Sequence, residues 1–333
     1  MPTDGARPRI AVVGLGYWGP NLVRNFAAMQ SCELAVICDA DAEALAKAQL
    51  LAPEARVTQS FDEVLADEEI DAVALATPVP THADLAVKVL QAGKHCFVEK
   101  PLAQTVEDAQ RAVDASDAAG KVLMVGHLLE YHPAVIALAD LISKGELGDV
   151  RYVYSNRQNL GQLRSDENAL WSLGAHDVAV ILSLLGEEPE QVTAVGEAYL
   201  RPGVEDVVFG YLRFPSGVAA HMHLSWLDPH KERRITVVGS KRMAVFDDMR
   251  IEGKLTVYDK GFDEDTQSWG EYITRAGGSW APRLGNTEPL RTELEHFVTS
   301  VATPGASPRT DGRSGLRVVS VLSRLQEALV SGR

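Results

Sequence analysis

Short apolar runs and amphipathic stretches take turns along the first 125 residues. The runs at 9–14, 33–39, 72–77, 95–99 and 122–125 are almost continuously apolar, the pattern of strands buried on both faces. Between them, 19–29, 41–51, 61–65, 82–92 and 106–119 carry apolar residues at helical spacing, with Leu22, Val23 and Phe26 on one face of the first. Asp41 stands where an N-cap belongs, and Gly93 and Gly120 where helices stop. Strands and helices alternating at this pitch predict βαβ units, right-handed crossovers and a doubly wound parallel sheet.

The rhythm changes after about residue 130. Residues 133–144 and 168–185 read as helices, the second closed by Gly186. Runs at 150–156, 207–214, 218–225, 234–238 and 243–246 then follow one another across turns such as Pro215-Ser216-Gly217. Strands without helices between them predict a large open, mostly antiparallel sheet. Residues 260–285 are rich in Gly, Trp and charge without a period, and read as a loop or lid. Helices at 290–300 and 315–329 close the chain. The expected fold class is α/β, with a doubly wound parallel sheet over 1–127 and an α+β domain over 128–333.

A length of 333 residues suits those two domains. The net charge of −14 argues against nucleic acid, whose phosphates need a basic face. The three cysteines, Cys32, Cys38 and Cys96, are odd in number and lack the CxxC spacing. No disulfide framework or metal site is expected, and a cytoplasmic location is. Residues 1–9 lack the apolar core of a secretion signal, and no apolar run is long enough to span a membrane.

The candidate chemistry begins directly after the first apolar run, at Gly14-Leu15-Gly16-Tyr17-Trp18-Gly19. Here Gly14 permits a tight turn, Gly16 lets backbone approach a pyrophosphate, and Gly19 lets the following helix pack on the strand. The helix N-terminus offers N–H groups and the positive end of its dipole. Asp39 ends the second strand, 20 residues after Gly19. A carboxylate there accepts ribose hydroxyls and repels a 2′-phosphate, and residues 38–43 hold no Arg or Lys. NAD is therefore expected and NADP disfavoured.

Glu99-Lys100-Pro101 follows a buried strand, where an open parallel sheet binds its ligands. Pro101 restricts Lys100 to extended geometry, and the bond between them is a candidate cis peptide. A lysine desolvated there by substrate can exchange a proton with a hydroxyl or carbonyl. In the later helix Ser172 and His176 lie one turn apart.

Together these segments resemble the Gfo/Idh/MocA oxidoreductases over nearly the whole chain. The residues that carry the likeness are 14–19, Thr77-Pro78 with His82, Glu99-Lys100-Pro101, and Leu173-Gly174-Ala175-His176-Asp177. Residues 14–25, Asn159-Leu160-Gly161, 225–231 and 238–241 resemble the branch that includes nucleotide-sugar 3-dehydrogenases. The resemblance implies an N-terminal Rossmann domain and a C-terminal domain whose open sheet shapes the substrate pocket and joins copies as a homodimer or homotetramer. It implies that Gly14, Gly16, Tyr17, Trp18, Gly19, Asp39, Thr77, Pro78, His82, Glu99 and Lys100 meet NAD. It also implies that Lys100 and His176 are catalytic, flanking the carbon that loses hydride. Substrate contacts are expected from Tyr131, Arg157, Asn159, Arg164, Ser172 and His176. Arg157 and Arg164 read either as partners of an anionic sugar or as ion pairs.

One departure stands out. The family usually has an aspartate four residues before this histidine, and Ser172 occupies that position. A serine hydrogen-bonds without bringing charge, so His176 is expected to be the weaker base and Lys100 to carry more of the proton transfer. Three other functions remain open from the sequence: a ketoreductase or inositol-type dehydrogenase of antibiotic-sugar or cyclitol metabolism, an NAD-dependent glycosidase, and a non-catalytic NAD sensor.

Overall fold

A computed structural model describes residues 7–161, 167–264 and 272–331. Two compact units account for the chain. One comprises Met1–Tyr131 with Thr287–Ser320, the other His132–Asn286 with Val321–Arg333.

The first unit is built on six parallel strands: β1 (Arg9–Val13), β2 (Glu33–Cys38), β3 (Arg56–Thr58), β4 (Ala72–Leu75), β5 (His95–Glu99) and β6 (Leu123–Gly126). Their spatial order is β3-β2-β1-β4-β5-β6, the doubly wound arrangement that reverses between β1 and β4. The crossovers are α1 (Gly19–Ala27), α2 (Ala42–Gln49), α3 (Phe61–Ala66), α4 (His82–Gln91) and α5 (Val106–Ala119). Asp41, Ser60 and Thr105 each cap the helix that follows by accepting a backbone N–H. The predicted strands and helices of this part are all present. The short strand β3 is additional, too brief to show a pattern of its own.

A boundary at residue 127 would leave all later residues to the other unit, but a C-terminal helix, here called α8 for its place in chain order (Pro289–Ala302), packs with the first unit. Its Leu290, Leu294, Phe297, Val298 and Val301 form one apolar face and enter a core with Ile10, Val12, Phe26, Ala74 and Phe97. That buried stripe explains why a segment from beyond residue 286 packs with the first unit.

The second unit begins with α6 (Pro133–Ser143) and β7 (Val150–Leu160). Next come α7 (Ala175–Leu185), β8 (Gln191–Glu197), β9 (Val207–Arg213), β10 (Ala219–Ser225), β11 (Leu227–Gly239), β12 (Met243–Asp247), β13 (Leu255–Glu264) and β14 (Tyr272–Trp280). The eight strands form one sheet in the order β14-β13-β12-β11-β7-β10-β9-β8. Only β7 and β10 pair in parallel; the other pairs are antiparallel. The last helix, α9 (Gly312–Ser331), is shared between the units along its length.

Two local expectations are corrected. Residues 260–285 are not simply a loop, because β13 extends to Glu264 and β14, Tyr272–Trp280, pairs with it antiparallel. β14 is solvent-exposed at nearly every position, so no burial pattern marks it in the sequence. The helix expected across 168–185 is α-helical only from Ala175; Leu170–Gly174 form a π-helical turn. Gly174 sits where that turn meets β10, and a Cβ on it would lie 2.9 Å from Leu224 Cδ1.

Candidate functional site

The carboxyl ends of β1, β4 and β5 bring the predicted cofactor residues of the first unit to one edge of its sheet. Gly14 leaves β1 with φ +93°, and its N–H donates to the Cys38 carbonyl at 2.9 Å. A Cβ there would lie 2.7 Å from the Ala76 carbonyl carbon, so the end of β1 can approach the end of β4 only with glycine. A Cβ on Gly19 would strike the Gly14 carbonyl oxygen, which brings the start of α1 down onto the loop. Around Gly16 there is open space, with nothing within 4 Å of a built Cβ. α1 starts with Pro20 in its first turn, no acidic residue there and no side-chain cap. Its first N–H groups and the space at Gly16 therefore suit a phosphate.

Asp39 fixes this loop. Its carboxylate accepts the Leu15 N–H at 2.5 Å and the Asp41 N–H at 2.8 Å. Each oxygen keeps a lone pair for a hydroxyl donor. Tyr17 is 92% exposed at the tip, whereas Trp18 is half-buried.

His82 links the two neighbouring strand ends. It is fully buried, with Nδ1 2.8 Å from the Pro101 carbonyl oxygen and Nε2 2.8 Å from the Thr77 carbonyl oxygen. Burial pushes its pKa down against the raising effect of those carbonyls. The Thr81 hydroxyl reaches the Thr77 hydroxyl and the Pro78 carbonyl at 2.8 and 2.7 Å. His82, expected among the cofactor contacts, braces with its ring the backbone at Thr77 and Pro101.

Lys100 is half-buried just past β5, and its bond to Pro101 is cis. Its backbone N–H donates to the Glu99 carboxyl at 3.3 Å. Burial pushes the Glu99 pKa up to about 7, against Lys100 and the Trp18 indole, which favour the ionised form. His127, buried beyond β6, is held down to about 3 by burial and by Lys100.

In the second unit, His176 lies half-buried in the first turn of α7, and Ser172 half-buried in the π-helical turn before it. The Ser172 N–H donates to the Asn168 carbonyl at 3.0 Å. Asn168 anchors that turn, its amide donating to Glu205 and Gln326 at 2.6 and 2.8 Å. Asn159 is half-buried near the end of β7, beside Gly161.

Two of the residues expected at the substrate are engaged by partners within the chain. Arg157 does not reach out to an anion: its guanidinium is buried on Asp177, because position 157 shares the inward parity of Val153 and Ser155 on β7. Tyr131 is also buried, in the first unit. Its hydroxyl lies 3.0 Å from His296 Nδ1 and 3.4 Å from the Thr310 hydroxyl. Arg164 falls outside the described residues.

Glu130, Glu293 and the Asn168–Glu205–Gln326 network, all buried or half-buried, carry no motif in the sequence. Glu293 could have been found, since it stands on the apolar face of α8, three residues after Leu290 and four before Phe297. Among the described residues no group of three or more His, Cys, Asp or Glu could hold a metal ion. Among them, too, no helix is long and apolar enough to cross a membrane.

Residues 8–127 match the family model for the oxidoreductase family with an NAD-binding Rossmann fold, and residues 135–245 match its GFO/IDH/MocA C-terminal domain. The chain is 28% identical over 324 residues to the UDP-N-acetylglucosamine 3-dehydrogenase of Acidithiobacillus ferrooxidans, covering 96% of this chain and 97% of the relative. A crystal structure of that dehydrogenase superposes with a TM-score of 0.82 at 27% identity, covering 98% of this chain and 99% of the other. The NAD(+)-dependent scyllo-inositol 2-dehydrogenase of Bacillus subtilis is 28% identical over 251 residues, 70% of this chain and 72% of the relative.

Proposed function

This chain belongs to the GFO/IDH/MocA family of NAD-binding oxidoreductases, and on that premise we propose that it moves hydride between NAD and a secondary alcohol or ketone of a sugar, at C3 of a nucleotide-linked sugar. The observation that carries the reading is the convergence, at one sheet edge, of the Gly14–Gly19 loop, the Asp39 carboxylate and Lys100. A dinucleotide cradle beside an amine on a restrained strand end suits hydride transfer coupled to proton transfer.

When bound, NAD supplies the two-electron acceptor or donor. The chain supplies everything else. Gly16 and the first N–H groups of α1 hold the pyrophosphate, and Asp39 takes the ribose hydroxyls while keeping the loop in shape. Glu99 and His82 position the Lys100–Pro101 backbone. In the oxidising direction the neutral Lys100 Nζ takes the hydroxyl proton as the carbonyl forms. His176 orients the hydroxyl, and Ser172 gives that imidazole a hydrogen-bonding neighbour without a charge.

The nucleotide-sugar assignment is supported by the name of the Acidithiobacillus relative and its nearly full-length coverage. The test is nicotinamide absorbance with NAD and a panel of UDP-sugars, free sugars and inositols. Turnover with a UDP-sugar that disappears in Lys100→Met is the expected result. Turnover confined to inositols would replace the substrate class, and no redox change with any substrate would overturn the dehydrogenase reading.

We also infer that copies associate through the outer face of the second unit's sheet. That face carries exposed Tyr152, Phe209 and Tyr211, with His221 stacked on Tyr154 and His223 on Phe209 at 5.4 and 4.5 Å. Such an aromatic surface favours burial against a second copy. Light scattering of the wild type and of Phe209→Glu tests it: the variant should shift to a smaller species, and a wild-type monomer would refute the arrangement.

A further inference from the structure

Glu293 has no part in the proposed hydride transfer. It is fully buried on the apolar face of α8, and neither carboxyl oxygen has a hydrogen-bond partner. Its place over β5 follows from the packing of neighbouring side chains. Phe297 lies on Phe97, with ring centroids 5.7 Å apart. Four helical residues and two strand residues each advance about 6 to 7 Å. Glu293, one turn before Phe297, lies near enough to Glu99, two residues beyond Phe97 on the same strand face, for the two carboxyls to act on each other. The Glu99 carboxyl lies against Gly126, where a Cβ would be 3.0 Å from Oε2, and accepts the Lys100 N–H at 3.3 Å.

The titratable groups around this point come from every neighbouring element of the unit. β5 and its end give Glu99 and Lys100; the segment after β6 gives His127, Glu130 and Tyr131; α8 gives His296, bonded to Tyr131; and Arg309 lies over the Tyr131 ring. The charges that act on Glu293 itself are Glu99 and Glu130, and both oppose its ionisation, as burial does. A carboxylate with no donor, in an apolar core and beside other acids, is strongly disfavoured against its neutral form.

We propose that Glu293 is kept as a neutral carboxylic acid beneath β5 and acts as a positioning residue for Lys100 through Glu99. Held neutral, it leaves Glu99 as the acid next to Lys100 that can carry charge. Ionised, it would add a second negative charge below the same strand end and favour the ammonium form of Lys100, which cannot accept a proton. The inference rests on the dehydrogenase reading for the role of Lys100, and not for the state of Glu293.

Two measurements that need no substrate test it, using the full-length wild type and Glu293→Gln, which keeps the shape and the neutrality. The first is thermal stability against pH. A carboxyl with a raised native pKa contributes fully below its unfolded value and loses that contribution as pH rises through the native value. The Tm advantage of Glu293→Gln should therefore be small at about pH 5 and widen toward about pH 8. A gap that stays constant would overturn the neutral acid. The second is the rate at which an amine-directed acetylating reagent modifies Lys100, read by mass spectrometry across pH. Wild type and variant should coincide at neutral pH. At alkaline pH the wild-type Lys100 should label several-fold more slowly. Profiles that coincide throughout would make Glu293 a core acid without influence on Lys100 and remove the positioning role. Failure of turnover with every sugar would fault the dehydrogenase reading alone, since neither measurement depends on it.

Discussion

Arg157 grips Asp177 through two nitrogens, Nε to Oδ2 at 2.7 Å and Nη2 to Oδ1 at 3.1 Å, with both side chains buried. The pair ties β7 to the first turn of α7, the turn that also carries His176. Removing one partner leaves the other charge buried without its counterion. Asp177→Asn and Arg157→Met should each lose about 3–5 kcal/mol in urea unfolding. The double variant Arg157→Met with Asp177→Leu should recover a large part of that loss. A loss in the double variant equal to the sum of the two single losses would show that the pair is not coupled.

The glycines of the nucleotide loop should separate folding from binding. Gly16→Ala places its Cβ in open space, so its Tm should stay close to the wild type while NAD affinity, measured by calorimetry, falls at least tenfold, about 1.4 kcal/mol. Gly19→Ala meets the Gly14 carbonyl and should lower both stability and affinity. Similar behaviour in the two variants would contradict this division of roles.

Asp39 holds the loop and is proposed to hold the ribose as well. Asp39→Asn keeps the shape but replaces one oxygen by an amide that cannot accept the Leu15 or Asp41 N–H. The ratio of NADP to NAD affinity should rise, with a loss of about 1–2 kcal/mol in stability. An unchanged ratio would remove Asp39 from the ribose.

Stability should respond to pH in opposite senses within the first unit. Burial holds His95 down to about 4 and His127 down to about 3. Their contribution is present above the unfolded histidine value and is lost as pH falls below it. Glu99, pushed up to about 7, acts the other way, its contribution fading as pH rises from the ordinary carboxyl range through that value. Thermal unfolding should show a maximum between these limits. His127→Phe should flatten the acid side while leaving the alkaline side in place.

Ser172→Asp tests the missing charge beside His176. An added carboxylate should raise the imidazole's basicity and speed alcohol oxidation near neutral pH. An unchanged rate would place the whole proton transfer on Lys100.

The parallel sheet was legible because its strands are buried on both faces and write themselves as apolar runs, as at 9–14 and 72–77. β14 was not, since exposed Gly, Ser, Arg and Thr serve an edge strand as well as a loop. The glycine loop, Asp39 and Lys100 stand out in the sequence because phosphate cradles and strand ends demand specific residues at specific places, and the structure sets all three at one edge of the parallel sheet. The inward turn of Arg157 depended on strand parity, which the alternation of Val153 and Ser155 recorded but the charge concealed. Tyr131 lies outside any periodic run, so the sequence offered nothing to show which way it faced.

The α8 helix has a consequence for the order of synthesis. Its apolar stripe completes the core beneath β1 and β5, yet it is encoded beyond residue 286. A ribosome that has released the first 131 residues has made the glycine loop, Asp39 and Lys100, but not the helix that covers Phe26 and Phe97. The nucleotide-binding half must therefore wait, with part of its core uncovered, while some 150 intervening residues are translated. At ordinary elongation rates that wait lasts about 10–30 seconds, a period in which the apolar surface around Phe26 and Phe97 lacks its helical cover.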